Sequence, residues 1–351
     1  MAAVIAVGLV QVVVAPARAA IANHWGYAYV DVTSGVPSPV HQHGSWPGGF
    51  TVSVTPGVPG ETIVRFPQVA GPGGVAHATA VSTGPDICQV ATWMPVGPDQ
   101  IVVVRCHRFG GTPVTTPFTV TWSESTPPLV GIGGFGYVHY NAGVVASYNS
   151  ASGTNTVATL GVGHYRVDLN GLGSTVFVGG IQVTAQNDLA QARCKVATWV
   201  PSTVNGTANQ QILVRCFDSA NTPMHSGWSL TYQRERNVNG RWLQPTRLGY
   251  TFDQAPGNPG PYAPAGGISY NSWSGVNTVR SGGPGLRVVT FPLVGLAIDH
   301  VQVTAYGADP DHCNLQSVWT TTGGAAAVRT KCWTGVTPAD RASFVSYTSS
   351  D

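Results

Sequence analysis

Cys88-Gln-Val-Ala-Thr-Trp93, Ile101-Val-Val-Val-Arg-Cys106 and Phe118-Thr-Val-Thr-Trp122 decide the fold of this chain. A cysteine and a tryptophan lie on one extended run, Gly97-Pro98 breaks it, a Val-rich run returns to a second cysteine, and an alternating run follows. Valine, threonine and aromatics alternating between turn residues read as short strands and a hairpin. The same order returns at Cys194, Trp199, Cys216, Trp228 and Tyr232. It appears again, with one residue slipped, at Cys313, Trp319, Cys332, Phe344 and Tyr347. Three copies of one unit are expected.

Composition agrees with strands. Charged residues make up 9% of the chain, against a usual share of roughly a quarter. Gly (44) and Pro (26) supply many turns, and 43% hydrophobic content is enough for several cores. No segment carries a sustained helical period. The expected fold class is all-β: three tandem antiparallel β-sandwiches, Ig-like or lectin-like, over 23–123, 134–233 and 248–351, set in a row along the chain. A net charge of +2 argues against nucleic acid or an anionic membrane surface as partner. The basic excess gathers at Arg234, Arg236, Arg241 and Arg247 around a single Glu235, a stretch that reads as a solvated linker.

Residues 1–20 stand apart. Ala2 to Val14 is apolar except for Gln11, and Ala17-Arg18-Ala19 supplies the small-x-small pattern before signal-peptidase cleavage. A signal peptide ending near Ala19 or Ala20 and an extracellular, secreted chain are expected, with no membrane span after cleavage. Six cysteines suit that compartment. Each unit holds two, separated by 18, 22 and 19 residues. The repeat therefore pairs Cys88 with Cys106, Cys194 with Cys216, and Cys313 with Cys332.

If Cys88 lies opposite Cys106, Val90 faces Val104 and Thr92 faces Val102 on the core side. Gln89, Ala91 and Trp93 then share the other side with Arg105, Val103 and Ile101. The same spacing sets Lys195 against Arg215 and Asn314 against Lys331. Like charges directly opposed are costly when buried, so this face is expected to meet water, with Trp93, Trp199 and Trp319 capping each sandwich.

The string G-x-Y-x-V-x-F, V-x-V-T-A, C-x-V-x-x-W, V-x-V-R-C, F-x-V-x-Y resembles the repeat of secreted, largely uncharacterised bacterial proteins and covers residues 26 to 347. The resemblance implies an extracellular β-sandwich and no particular activity.

Catalytic patterns are sparse. No G-x-S-x-G, Walker or H-E-x-x-H motif occurs, and Asp309-Pro310-Asp311 reads as a turn. His41-Gln42-His43 is the one metal-like spacing, a weak candidate needing a third ligand such as His24 or His77. Trp46, Tyr148, Tyr270 and Trp273, flanked by Ser, Asn or Gly, are the candidate ligand-binding residues, because sugar sites stack on exposed rings and read hydroxyls with neighbouring amides. The leading expectation is a non-enzymatic protein, without cofactor, that attaches to a polysaccharide or cell-wall polymer. A structural or protein-interaction role at the cell surface, by self-assembly or a protein partner, is the alternative. A secreted hydrolase or metalloprotein around His41 and His43 is the second alternative.

Overall fold

The computed structural model describes residues 23–126, 132–204, 206–241 and 247–350. The signal-peptide reading and the Pro127-Pro128 part of the first linker lie outside the described residues. Among the described residues there is no α-helix, only strands and one 3-10 turn, Pro39–His41.

Strand pairing groups the chain into three units of two sheets. In the first, an inner sheet orders Gln42–Gly44, Asn23–Val30, Phe118–Ser125 and Val75–Ala80. Its outer sheet orders Ser53–Pro56, Glu61–Phe66, Asp99–His107 and Ile87–Val96. The second unit repeats this with Val144–Asn149, Gly134–Tyr140, Gly227–Arg234 and Gly180–Gln186 inside. Outside are Asn155–Gly161, His164–Leu169, Thr207–Asp218 and Ala192–Val204. The third places Ser269–Asn271, Arg247–Asp253, Ser343–Ser350 and Ile298–Ala305 inside, and Thr278–Gly283, Leu286–Phe291, Ala325–Thr334 and His312–Leu315 outside. Each unit has its own apolar core, into which the alternating residues point: Val90, Val102, Val104, Phe118, Val120 and Trp122 in the first. The three disulfides close the cysteine hairpins as the spacing indicates.

The hairpin register differs from simple alternation in one place. Val90 faces Val104, but Thr92 then faces Val103 and Trp93 faces Val102, because Ala91 is an extra residue. Ala197 is extra in the same way, and in the third unit pairing stops at Leu315 and resumes at Thr320. A bulge turns the tryptophan that follows to a new direction. That direction leads out of its own unit. Trp93 lies 4.2 Å, centroid to centroid, from His139 of the second unit, Trp199 lies 6.2 Å from Phe252 of the third, and Trp319 lies 6.0 Å from Tyr29 of the first.

These contacts close a ring, where the sequence suggested a row. The ends of three inner strands bridge three neighbouring outer strands: Gln186 with Val90, Tyr306 with Val196, and Val81 with Leu315. The amide hydrogen bonds follow suit, from Asn187 to Val90 (3.0 Å), Gly307 to Val196 (2.9 Å) and Ser82 to Leu315 (2.8 Å). At the axis the donors also cycle. The Thr79 hydroxyl donates to the Gln302 side chain at 2.6 Å, Thr304 donates to Gln182 at 2.8 Å, and Thr184 lies 3.2 Å from His77 Nδ1.

Ring closure explains the hydroxyl-rich strands. Thr119 and Thr121 alternate with Phe118, Val120 and Trp122, yet all five are buried. One face of each inner sheet serves its unit's core and the other faces the axis, where buried polar groups need partners. Thr119 donates to the Val301 carbonyl (2.7 Å), and Thr231 meets His77 Nε2 (2.8 Å).

Two surface expectations are corrected for the same reason. The Gln89, Lys195 and Asn314 face is buried between units. Each of these residues reaches the loop after its neighbour's inner strand: Gln89 donates to the Asn187 and Ala190 carbonyls, Lys195 to Asp309, and Asn314 to Gly84 and Asp86. The Arg234–Arg247 linker is also not simply solvated. Arg236, Asn237, Val238 and Asn239 are buried. Asn239 accepts from Asn23 and Thr121, while Arg241 lies 4.7 Å over the Trp25 ring.

Candidate functional site

The four aromatics singled out by sequence fall in two equivalent places. Tyr148 faces Tyr137 and Tyr270 faces Tyr250 across paired strands, and the first unit has His43 facing Tyr27 there. Trp46 and Trp273 each follow three residues later. Tyr148 is 5% exposed and packed with Phe135 and Tyr137, so it offers no stacking face. Trp46 is half-buried on Phe66, and Tyr270 half-buried on Tyr250. Their neighbouring amides are structural. Asn155 donates to the Tyr137 and Tyr148 carbonyls, and Asn277 to those of Tyr250 and Tyr270. Trp273 alone is exposed, at 40%, with the Arg247 guanidinium 3.9 Å from its ring.

His41 and His43 do not converge. His41 Nδ1 lies 2.5 Å from the buried Asp299 carboxylate, which also accepts from Tyr347 at 2.9 Å. His43 packs instead against Trp25 and Tyr27. Among the described residues no group of three or more His, Cys, Asp or Glu side chains is arranged to hold a metal ion. Asp309 and Asp311 lie at a bend, and the Asp311 carboxylate pairs with Arg341 at 2.6 Å and accepts from Thr334.

A cleft of about 430 Å³ opens in the second unit instead. Its floor is aromatic: Tyr140 stacks on Trp228 (5.2 Å, 14° between planes) and lies 5.1 Å from Tyr165. Tyr140 ends its strand, and its hydroxyl lies 3.1 Å from that of Thr159. Tyr165 reaches His225 Nδ1 at 3.3 Å and accepts from the Ser226 amide at 3.2 Å; burial raises its phenol above the ordinary value, so it stays protonated. The rim brings Asn141, Asn187, Asp188, His225 and Ser226 to one opening.

The far wall, 187–190, is held from outside its own unit. Gln89 donates to two of its carbonyls at 2.7 and 2.8 Å, and Arg105, itself ion-paired to Glu61, donates to the Asp188 carbonyl. Within the loop, the Asn187 side chain accepts from the Leu189 and Ala190 amides. The Asp188 backbone is thus fixed while its side chain stays exposed.

The other units do not build this floor. Strand register makes Tyr140 equivalent to Val30 and Asp253, and Tyr165 equivalent to Thr62 and Arg287. In the third unit, Asp253 and Arg287 form a fully buried ion pair at 2.8 Å, and Arg287 also donates to the Asn258 and Ala255 carbonyls. Sequence reading passed over Tyr140 and Tyr165 as strand residues. The signal that finds them is divergence between units at a position otherwise filled.

A second cleft, of about 360 Å³, lies where the second and third units meet, lined by Phe177, Trp199, Phe252 and Tyr306. Gln254 and the Tyr306 hydroxyl are among its polar side-chain groups, and Phe177 and Val176 stand 47% and 59% exposed beside it. No protein family, curated protein or solved structure matches this chain.

Proposed function

We propose that the chain is an extracellular, non-enzymatic binding protein whose second-unit cleft takes one sugar unit of a polysaccharide or cell-surface polymer. The observation that carries this reading is the half-buried Tyr140 ring, backed by Trp228 and the buried Tyr165, beneath converging amide, carboxylate and imidazole groups. Sugars present apolar C–H faces that stack on aromatic rings, and hydroxyl pairs that planar side chains read by hydrogen bonds. At about 430 Å³ the cleft suits a ligand of one or two rings. Complete pairing of the cysteines fits an oxidising compartment. The site is thus moved from the loop aromatics to a cleft, while the ligand class expected from sequence is kept.

The test is retention of the folded, oxidised chain on a panel of insoluble polysaccharides and cell walls, with competition by soluble fragments. Tyr140→Ala and Asp188→Ala should each weaken retention about tenfold, the loss expected for one stacking or hydrogen-bonding contact of roughly 1.4 kcal/mol. Trp273→Ala should leave it unchanged. Failure to bind any polymer, or full retention by the Tyr140→Ala, Asp188→Ala double variant, refutes the reading. Exposed Phe177 and Val176 beside an apolar cleft favour a second reading, docking of a protein or another copy. Concentration-dependent growth in light scattering that Phe177→Ser abolishes supports it.

A further inference from the structure

A small cavity of about 50 Å³ also lies where the three units meet near the axis. Its wall includes Arg193 and Lys195 of the second unit, 5% and 3% exposed. Among the described residues neither makes a salt bridge with a carboxylate. Arg193 donates to the Asp218 and Pro310 carbonyls and to the Asn221 side chain, leaving its buried Nε without a partner. Lys195 Nζ donates to the Asp309 carbonyl at 2.9 Å, one bond from a group with three donors.

Acids are present, but no carboxylate is in contact with either group: Asp218 and Asp309, half-buried and exposed, attract Arg193 and Lys195 only from a distance, and Asp86 and Asp311 are engaged elsewhere. Asp86 accepts from Ser82 and pairs with Arg108; Asp311 accepts from Thr334 and pairs with Arg341. His312 donates Nε2–H to the Pro85 carbonyl, and burial pushes its pKa down to about 3, so it adds no charge. Two buried cations are thus left without a carboxylate in contact, an arrangement that folds normally avoid or neutralise.

The repeat shows that the staple itself needs no charge. Gln89 and Asn314 make the equivalent inter-unit bonds as neutral amides, and Arg193 is replaced by Ile87 and His312. The two buried cations of the second unit require another explanation.

We propose that this cavity binds one small inorganic anion of chloride size, the counter-ion of Arg193 and Lys195, which joins the three units at the axis. A water-sized probe needs roughly 10–15 Å³, so the space admits a halide with a little water and excludes a sugar or a phosphate ester. Burial draws the Lys195 ammonium down to about 8, and a bound anion would hold it in the charged form.

Two measurements test this on the full chain. Crystals soaked in bromide should give an anomalous peak in the cavity within hydrogen-bonding reach of Arg193 or Lys195. At pH 7 and fixed ionic strength, replacing gluconate by chloride should raise the unfolding midpoint by several degrees, saturably. Lys195→Gln, which installs the first unit's staple, should keep the fold and lose the chloride response. Arg193→Ile, which installs the first unit's residue at the other position, gives the same readout if the lysine variant does not fold. Absence of a bromide peak, equal midpoints in the two salts, or a chloride response that survives both substitutions overturns the proposal.

Discussion

Trp199→Ala tests whether the hairpin tryptophan holds the ring together rather than its own sandwich. Trp199 is 1% exposed and meets Phe344 and Phe252 of the third unit edge-on, at 5.5 and 6.2 Å. Truncating a buried tryptophan costs about 3–5 kcal/mol, part of it from the cavity left behind. One flank of Trp199 already borders the 360 Å³ cleft, so little new cavity forms there and the lower figure, about 3 kcal/mol, is expected. Between a third and two thirds of this should disappear when Phe252 is already alanine, because an aromatic pair is worth about 0.5–1.5 kcal/mol beyond its area and the remaining packing is lost with it. The assay is guanidinium unfolding of the oxidised single and double variants, followed by circular dichroism. A Trp199→Ala loss below about 1 kcal/mol, or strict additivity with Phe252→Ala, would refute the inter-unit role.

Burial pushes the imidazoles of His77 and His300 down to about 3, so both stay neutral in the fold. The unfolded chain, with histidines near 6.5, binds protons first, so stability is full above that pH and falls as pH drops toward 3, by up to about 1.4 kcal/mol per pH unit for each residue. His77→Gln, which copies Gln182 and Gln302 at equivalent positions, should flatten this slope, and an unchanged slope in the pH dependence of unfolding would count against it. For the buried Asp253–Arg287 pair, either partner removed alone should cost about 3–5 kcal/mol. The Asp253→Tyr, Arg287→Tyr double variant, which copies the second unit, should recover most of that; losses that simply add would show that the pair does not act as a unit.

The cores and disulfides were legible because they depend on local spacing. Cys88 and Cys106 are close in sequence, and Val90, Val102 and Val104 follow strand periodicity. What was not legible came from contacts between units. Alternation of Thr119 and Thr121 with apolar residues indicates a strand but not what covers its hydroxyl face, which only ring closure buries. Lys195 opposite Arg215 implied exposure, but the lysine points into a neighbour that supplies a carbonyl. Ser and Asn around Tyr148 suggested a binding loop, whereas Asn155 ties that loop to its own strands. Tyr140 and Tyr165 lie 25 residues apart in strands of different sheets, and only the packing of one sheet on the other brings their rings together beneath a cleft.

The closed ring also bears on how the chain reaches its native state. The Tyr27 hydroxyl donates to the Ile298 carbonyl, a contact across 271 residues, and Trp319 seals against Tyr29 over a similar span. Such contacts form only after the loop-closure entropy of nearly the whole chain has been met. The first unit can therefore acquire its core and disulfide early in synthesis, but the Thr119 part of its hydroxyl-lined face and Tyr29 stay uncovered until the third unit is made. Docking of the last unit is the slow step this topology imposes. Until then the half-assembled chain presents open strand ends to any other copy nearby, which makes domain exchange between copies its characteristic hazard.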